Sequence, residues 1–503
     1  MVAHVFTVAP IGFEGALVDV ESDIKRGLPA IQIVGLGTKS VEEAKERVRS
    51  AVTNSLLDFP SRKITINLAP AELVKDGAHY DLPIALSILI SSGQLRQSEV
   101  DGSIYAGELS LDGRLRPIKG AINIAETAKK SGYKRIYVPV ANASQACLID
   151  GLEVYGIKDL KEIFLHLKEE KILQPAQETA NKDVSKSVPY LDDVYGQEQA
   201  KRALVIAAAG RHNILLTGSP GAGKTMLAKT IVGLMPRLTI DERIAVTKLH
   251  SLAGEIDGEI VTERPFRSPH HTTSSVAIVG GGTRPKPGEI SLAHLGILFM
   301  DEIPEYQRSV LESLRQPLED KEISVSRASG RMVYPADFIL IATMNPCPCG
   351  HLGDPRKECS CTNSQILSYQ RRLSGPLLDR IDMVVNVSRV PNEILLDTNI
   401  SSKKIQHIKA LKELEQARKA QAIRYNHSSK YNGLLKSSEV LRHFHLSPKS
   451  KDLLNKAGER LGLSARSYFK VIKVARTIAD LEDEKDINEK HIAEALQYRT
   501  SNS

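Results

Sequence analysis

The chain has no tryptophan, and aromatic residues make up only 5% of its 503 residues. A surface that grips bases by stacking is therefore not the first expectation. Cysteines are few and odd in number, five in all, with four crowded between Cys347 and Cys361. A secreted disulfide framework spreads its cysteines, so a reducing, cytoplasmic setting is expected instead. The longest nearly unbroken apolar run, Leu82 to Ile90, is far too short to cross a bilayer, so no membrane partner is expected. The opening residues show no basic stretch followed by an apolar core, as a secretory leader would. Charged residues at 25% and hydrophobic residues at 42% exclude wholesale disorder.

What is present is uneven. The net charge of +7 sits in the last stretch: residues 391–503 carry 21 Lys and Arg against 14 Asp and Glu, while residues 1–390 balance. That excess permits a polyanionic partner such as nucleic acid, although a solvated helical face accounts for it as well. Within it, Lys403 to Lys430 reads as such a solvated helix.

Residues 1–168 mix strand and helix patterns. Lys63 to Leu68 alternates like a strand, Val41 to Ser55 reads as a surface helix and Leu82 to Leu95 as a buried one. Gly107 to Leu115 reads as a hairpin around an Asp-Gly turn, and Ile136 to Pro139 as a further strand. Residues 169–188 are polar without apolar period, which marks a linker. Strands then alternate with helices over 189–390, as in a parallel α/β sheet covered on both faces. Residues 391–503 are helical in pattern.

The strand Asn213 to Thr217 runs into Gly218-Ser219-Pro220-Gly221-Ala222-Gly223-Lys224-Thr225, and a helix follows. This G-x-x-x-x-G-K-T in a strand–loop–helix setting is a P-loop. Its backbone N–H groups can converge on phosphate oxygens at a helix N-terminus. Lys224 would reach the β- and γ-phosphates of ATP, and the Thr225 hydroxyl would ligate Mg²⁺. A second apolar strand, Gly296 to Met300, ends in Asp301-Glu302. Asp301 is expected in the Mg²⁺ shell and Glu302 to polarise the attacking water. A third, Phe338 to Thr343, ends in Met344-Asn345, where Asn345 could position that water.

Four thiols within fifteen residues, Cys347, Cys349, Cys359 and Cys361, could hold Zn²⁺ tetrahedrally. The C-x-C spacing is tighter than the usual C-x₂₋₄-C, and four reduced thiols or a disulfide remain open readings. Two basic segments could follow a phosphate backbone. One is the Gly- and Pro-rich stretch with Arg264, Arg267, His270, His271, Arg284 and Lys286. The other is a hairpin from Ile323 to Tyr334 with Arg327 and Arg331 about its turn.

The order P-loop, Asp-Glu, then Asn resembles an AAA+ ATPase. Val194-Tyr195-Gly196-Gln197, Phe266 to Thr272, Gly288 to His294 and Ser374 to Asp382 make the resemblance specific. Together with Ile33 to Leu36, Glu46 to Arg49 and Asn67 to Ala71, they resemble the magnesium-chelatase-like branch of AAA+ proteins, the YifB/ComM family. The resemblance implies a Lon-protease-like α/β domain over 1–168, an AAA+ core over 189–390 and a helical lid over 391–503. It implies Val194 and Tyr195 on the adenine side, Arg380 as an arginine finger supplied to a neighbouring subunit, and Arg466 as the lid's sensor arginine, with Arg476 its rival. It also implies a homo-hexameric ring that drives branch migration of DNA when transforming DNA is integrated. The alternatives are the ATPase subunit of a metal chelatase and a protein-remodelling ATPase. A Lon-type peptidase needs a serine where this chain has His79 or Asp81, and a lysine where it has Ile122. The fold is therefore expected without peptidase activity.

Overall fold

The computed structural model describes residues 2–177, 189–282, 286–327, 330–354, 357–390 and 404–499, with the backbone alone at 326, 327, 330 and 331. Arg284 and the turn 328–329 lie outside the described residues.

Seven strands form the first sheet: β1 (Ala3–Ile11), β2 (Glu14–Lys25), β3 (Ala30–Val34), β4 (Lys63–Ala69), β5 (Ser103–Tyr105), β6 (Arg135–Pro139) and β7 (Glu153–Ile157). Their order is β3-β4-β2-β1-β5-β6-β7. Strand β2 runs antiparallel to both β1 and β4, and the other neighbours are parallel. In β4 the alternation buries Ile64, Ile66 and Leu68 and turns the intervening residues outward. Helices α1 (Ala44–Asn54), α2 (Asp81–Ser91) and α3 (Ala121–Lys130) cover the sheet. Helix α2 is buried from Asp81 to Ile90, which is why its sequence shows no polar stripe. The expected hairpin pairs Glu108–Leu109 with Leu115–Arg116, and Gly113 takes the left-handed φ of 87° that its turn requires.

The second sheet holds β8 (Ile214–Thr217), β9 (Phe266–Arg267), β10 (Ile297–Met300), β13 (Ile339–Met344) and β14 (Met383–Asn386); β11 (Glu322–Arg327) and β12 (Gly330–Pro335) form a separate hairpin. The sheet order is β9-β10-β13-β8-β14, all parallel. Strands β10 and β13 are buried at every residue, as continuous apolar strands inside a doubly covered parallel sheet must be. Around them lie α4 (Glu198–Gly210), α5 (Lys224–Leu234), α6 (Ile240–Ala253) and α7 (Asn363–Gln370).

Among the described residues the chain ends in α8 (Ile405–Tyr425), α9 (Ser437–His443), α10 (Pro448–Leu461), α11 (Ala465–Leu481) and α12 (Glu489–Gln497). Their apolar faces share one core with α4, α5 and β8. A buried polar network fixes this packing. The Asn432 amide donates to Thr477 Oγ1 (3.0 Å) and Asp480 Oδ2 (2.8 Å), and Arg424 donates to the same carboxylate at 2.9 Å. Arg476, 1% exposed, is enclosed there too, on Asp480 and on the carbonyls of Glu484 and Lys485. As the rival sensor arginine it is therefore corrected: its donors are consumed among the C-terminal helices.

The first sheet's unit docks on α6. Lys248 Nζ, buried, donates to Glu126 Oε2 at 2.6 Å and lies 3.9 Å from the Phe13 ring centre. Gly120 N–H donates to Ser251 Oγ (2.9 Å) and the Gln145 amide to the Glu259 carbonyl (2.9 Å). No helix among the described residues is long and apolar enough to cross a membrane.

Candidate nucleotide site

The carboxyl ends of the parallel strands converge on one crevice, the usual ligand position in such sheets. Strand β8 delivers the P-loop. Gly221 and Gly223 have φ of 78° and 86°, and a Cβ on either would meet nothing within 4 Å. Left-handed glycines with open space before them leave successive N–H groups pointing into an anion cradle. Lys224 opens α5 and is 8% exposed. Its ammonium donates to the carbonyls of Gly218 and Ser219 (the latter at 3.2 Å) and to Asn345 Oδ1 at 3.0 Å. Burial pushes its pKa down, and the carboxylates of Asp301 and Glu302 work against that. The structure thus brings Lys224 and Asn345, 121 residues apart in sequence, into contact.

Strand β10 delivers the acids. Thr225 Oγ1 donates to Asp301 Oδ2 at 3.2 Å, so both oxygens intended for Mg²⁺ already stand together. Hard divalent cations prefer such oxygen ligands, so the residues present fit the ion. Asp301 Oδ1 accepts from Thr343 Oγ1, a buried hydroxyl that in turn accepts the Glu302 N–H at 2.9 Å. Glu302 sits at φ 49°, a left-handed conformation costly for a non-glycine residue. Thr343 is the brace that holds it and places its side chain in solvent. Sequence reasoning passed over Thr343 because a threonine fits any apolar strand; its place beside Asp301 depends on the β10–β13 pairing.

Of the pair expected on the adenine side, Val194 is buried and Tyr195 half-buried. The next residues, Gly196 and Gln197, have φ of 59° and 60°, and the Gln197 amide donates to the Ser388 carbonyl. Pro220 of the P-loop accepts from Arg389 at 3.1 Å, a second residue that motif reading did not single out.

Arg380 and Arg466 do not meet the P-loop of their own chain. Both bind Glu319, Arg466 at 3.0 Å, and Arg380 also donates to the Pro376 carbonyl at 2.7 Å.

The basic candidates separate into two groups. Arg264 is buried and donates to the carbonyls of Pro236 and Leu295 (2.7 Å each) and to Glu242 (2.8 Å). Arg267 is clamped between Glu255 and Glu289 at 2.7–2.9 Å, and these carboxylates drive its pKa up against its burial. Neither is available to a phosphate backbone, which corrects the expectation for both. His270 and Lys286 are exposed, and His271 is half-buried with its ring 4.1 Å from that of His270. The second segment is a hairpin as expected, but a tighter one: Arg327 pairs with Gly330, so Arg327 and Arg331 lie within the strands. Their side chains are outside the described residues. Midway along the hairpin, a Cβ on Gly12 would lie 3.6 Å from Met332, so the β1–β2 turn packs against it.

The dyad positions of the first unit are all buried: His79, Asp81 and Ile122. His79 Nε2 bonds the Val8 carbonyl at 3.1 Å, and Asp81 takes two oxygens' worth of Arg47 at 2.7 and 2.9 Å.

Comparison with known proteins agrees with this arrangement. Residues 190–395 match the family "Magnesium chelatase, subunit ChlI", residues 20–142 "Subunit ChlI of Mg-chelatase" and residues 405–499 "Magnesium chelatase, subunit ChlI C-terminal". Competence protein ComM of Haemophilus influenzae is 42% identical over 99% of this chain and 97% of its own length. YifB of Escherichia coli is also 42% identical, over 98% and 96%. The Magnesium-chelatase 67 kDa subunit of Chlorobaculum parvum is 25% identical over 31% of this chain and 23% of its own. With a P-loop, an Asp-Glu strand end and an asparagine on the P-loop lysine, and with similarity running nearly the full length of ComM and YifB, the chain belongs to the YifB/ComM family of magnesium-chelatase-like AAA+ ATPases.

Proposed function

We propose that the chain is an ATP-hydrolysing motor that acts on single-stranded or branched DNA as a homo-hexameric ring, in branch migration during integration of incoming DNA. The observation that carries the ring is the meeting of Arg380 and Arg466 on Glu319, rather than on their own P-loop. Arg380, held at a carboxylate away from its own P-loop, suits delivery to the nucleotide of a second copy, where cation supply in trans to the γ-phosphate is worth orders of magnitude in rate, with Arg466 beside it as the sensor arginine. Lys224 would exchange its carbonyl partners for phosphate oxygens, and Thr225 with Asp301 would hold Mg²⁺. When bound, the ion neutralises charge on the phosphates. Glu302, exposed and braced by Thr343, would orient and deprotonate water, and Asn345, held against Lys224, would help position that water. The name of the Haemophilus relative supports the competence setting, and full-length similarity to it favours this reading over the chelatase one.

The DNA reading rests on exposed Lys286, on the hairpin β11–β12 and on the basic excess of residues 391–503. The deciding experiment is ATP hydrolysis with and without single-stranded and four-way-junction DNA at two salt concentrations. Strong stimulation that fades with salt supports a motor gripping phosphates. Hydrolysis indifferent to DNA leaves the ATPase standing and moves the function toward a chelatase or protein-remodelling role. Supply in trans has its own test. Arg380→Ala and Lys224→Ala chains, each inactive alone, should regain hydrolysis when mixed; mixtures as inactive as their parts would place Arg380 elsewhere.

A further inference from the structure

The four clustered cysteines lie on a loop that the nucleotide chemistry does not use. Their sulfurs all fall within 4.8 Å of one another. Cys347 and Cys349 are 3.4 Å apart, and Cys359 is 3.6 Å from each of them. No two are joined, since a disulfide holds its sulfurs at about 2.0 Å. Around one ion with metal–sulfur bonds of about 2.3 Å, the edge of a sulfur tetrahedron is about 3.8 Å. The observed spacings are close to that edge, and a polynuclear iron–sulfur cluster would spread its ligands farther. The Cys349 N–H, moreover, donates to Cys361 Sγ at 3.4 Å, the kind of amide contact that supports a ligating thiolate.

We infer that Cys347, Cys349, Cys359 and Cys361 bind one zinc ion, and that this zinc knuckle braces the asparagine turn against the P-loop. The second half follows from what the loop touches. Asn345, two residues before the first ligand, accepts from Lys224. Gly350, just after the first pair, packs on the P-loop: a Cβ there would stand 2.6 Å from Pro220 Cδ and 3.9 Å from Asn345 Cγ. The last ligand leads directly into Thr362, which caps α7, and Gln370 at the other end of α7 donates to the Pro346 carbonyl at 3.3 Å. The ion therefore ties three things together: the strand end carrying Asn345, the wall of the P-loop and the start of α7. With no ligand position left for water its role is architectural. The inference stands on sulfur geometry and does not depend on the DNA reading.

The test begins with metal analysis of the full chain purified in reductant without chelator. One zinc per chain is expected; iron, or no metal together with no uptake of added Zn²⁺ or Co²⁺, overturns the site. Cobalt-loaded protein should show thiolate-to-cobalt charge-transfer absorption and the visible bands of tetrahedral cobalt; octahedral bands overturn it. Cys359→Ser/Cys361→Ser should hold zinc at least tenfold more weakly. If that variant does not fold, a mercurial titrated into the unaltered protein should release one zinc as four thiols react. For the brace, a fluorescent ATP analogue should bind the folded, zinc-free variant about tenfold more weakly, as loss of a supporting contact does. Unchanged affinity overturns the brace, while metal content alone decides the site.

Discussion

Two loop-to-helix junctions in this molecule carry a lysine and an acid, and they differ in how those charges are closed. In the first unit, Lys75 is fully buried and donates to the Pro70 carbonyl. Asp81, also fully buried, accepts from Arg47 through both oxygens and from the Leu109 N–H at 3.1 Å. In the second, Lys224 is buried too, but Thr225 and Glu302 are exposed and Asp301 is half-exposed. The oxygens around Lys224 can be exchanged for those of a phosphate. Buried and internally satisfied groups are architecture, and their removal costs stability. Groups that are charged, perturbed and reachable are where chemistry is done.

The largest expected effects test that contrast directly. Lys224→Ala should abolish nucleotide binding. Glu302→Gln should bind ATP normally yet hydrolyse it at least about 100-fold more slowly, the scale of a lost general base. Lys75→Met should leave both unchanged and move only the melting temperature. Measured together by nucleotide-analogue binding, steady-state hydrolysis and thermal melting, these variants break the comparison if Lys75→Met silences the ATPase, or if Glu302→Gln turns over normally.

A second contrast lies within the basic residues. Arg264 looked like a phosphate contact in the sequence and proves to be a buried strut. Arg264→Ala leaves the Glu242 carboxylate and two carbonyls without their donor, which should cost about 3–5 kcal/mol of stability. A melting temperature close to that of the unaltered chain would sink this assignment.

These cases show what the sequence made legible. The P-loop, the strand ends carrying Asp301 and Asn345, and the strand β4 were readable because continuous or alternating apolar runs and glycine spacing are local signals. The left-handed Gly221 and Gly223 follow from the motif itself. The burial of Arg264, the clamp on Arg267 and the role of Thr343 were not readable, because each depends on partners from distant segments. Arg466 could be separated from Arg476 only when the structure showed the latter enclosed by Asp480 and the carbonyls of Glu484 and Lys485. A cation in a Gly- and Pro-rich stretch looks the same in sequence whether it faces solvent or a carboxylate.

The first unit also carries a pH signature. Burial holds the His79 pKa down to about 4, against the opposing pull of the Val8 carbonyl and Asp76. The imidazole is therefore neutral in the folded protein, with Nε2–H on Val8. Because the folded pKa lies below the unfolded value near 6.5, the unfolded chain takes up protons first. The stabilisation is complete above about pH 6.5 and is lost as pH falls toward 4, with about 2 kcal/mol gone by pH 5. Urea midpoints at pH 7 and pH 5 should fall for the unaltered chain and fall less for His79→Gln. Equal declines in the two proteins would remove His79 as the source.

The smallest effect sharpens the comparison most. Lys286 is exposed in the same stretch whose Arg264 and Arg267 are consumed by their own chain. If the stretch touches DNA, the contact must come from Lys286, His270 and the half-buried His271 rather than from the two arginines. Lys286→Ala should therefore leave melting and DNA-free hydrolysis unchanged. It should weaken DNA binding a few-fold at low salt and reduce the slope of log affinity against log salt by about 1, the share of a single phosphate contact. Arg264→Ala, in whatever fraction stays folded, should keep the full slope, since its guanidinium never reached the phosphates. If the two variants exchanged these behaviours, burial would have been the wrong guide to which cations this protein offers to a polyanion.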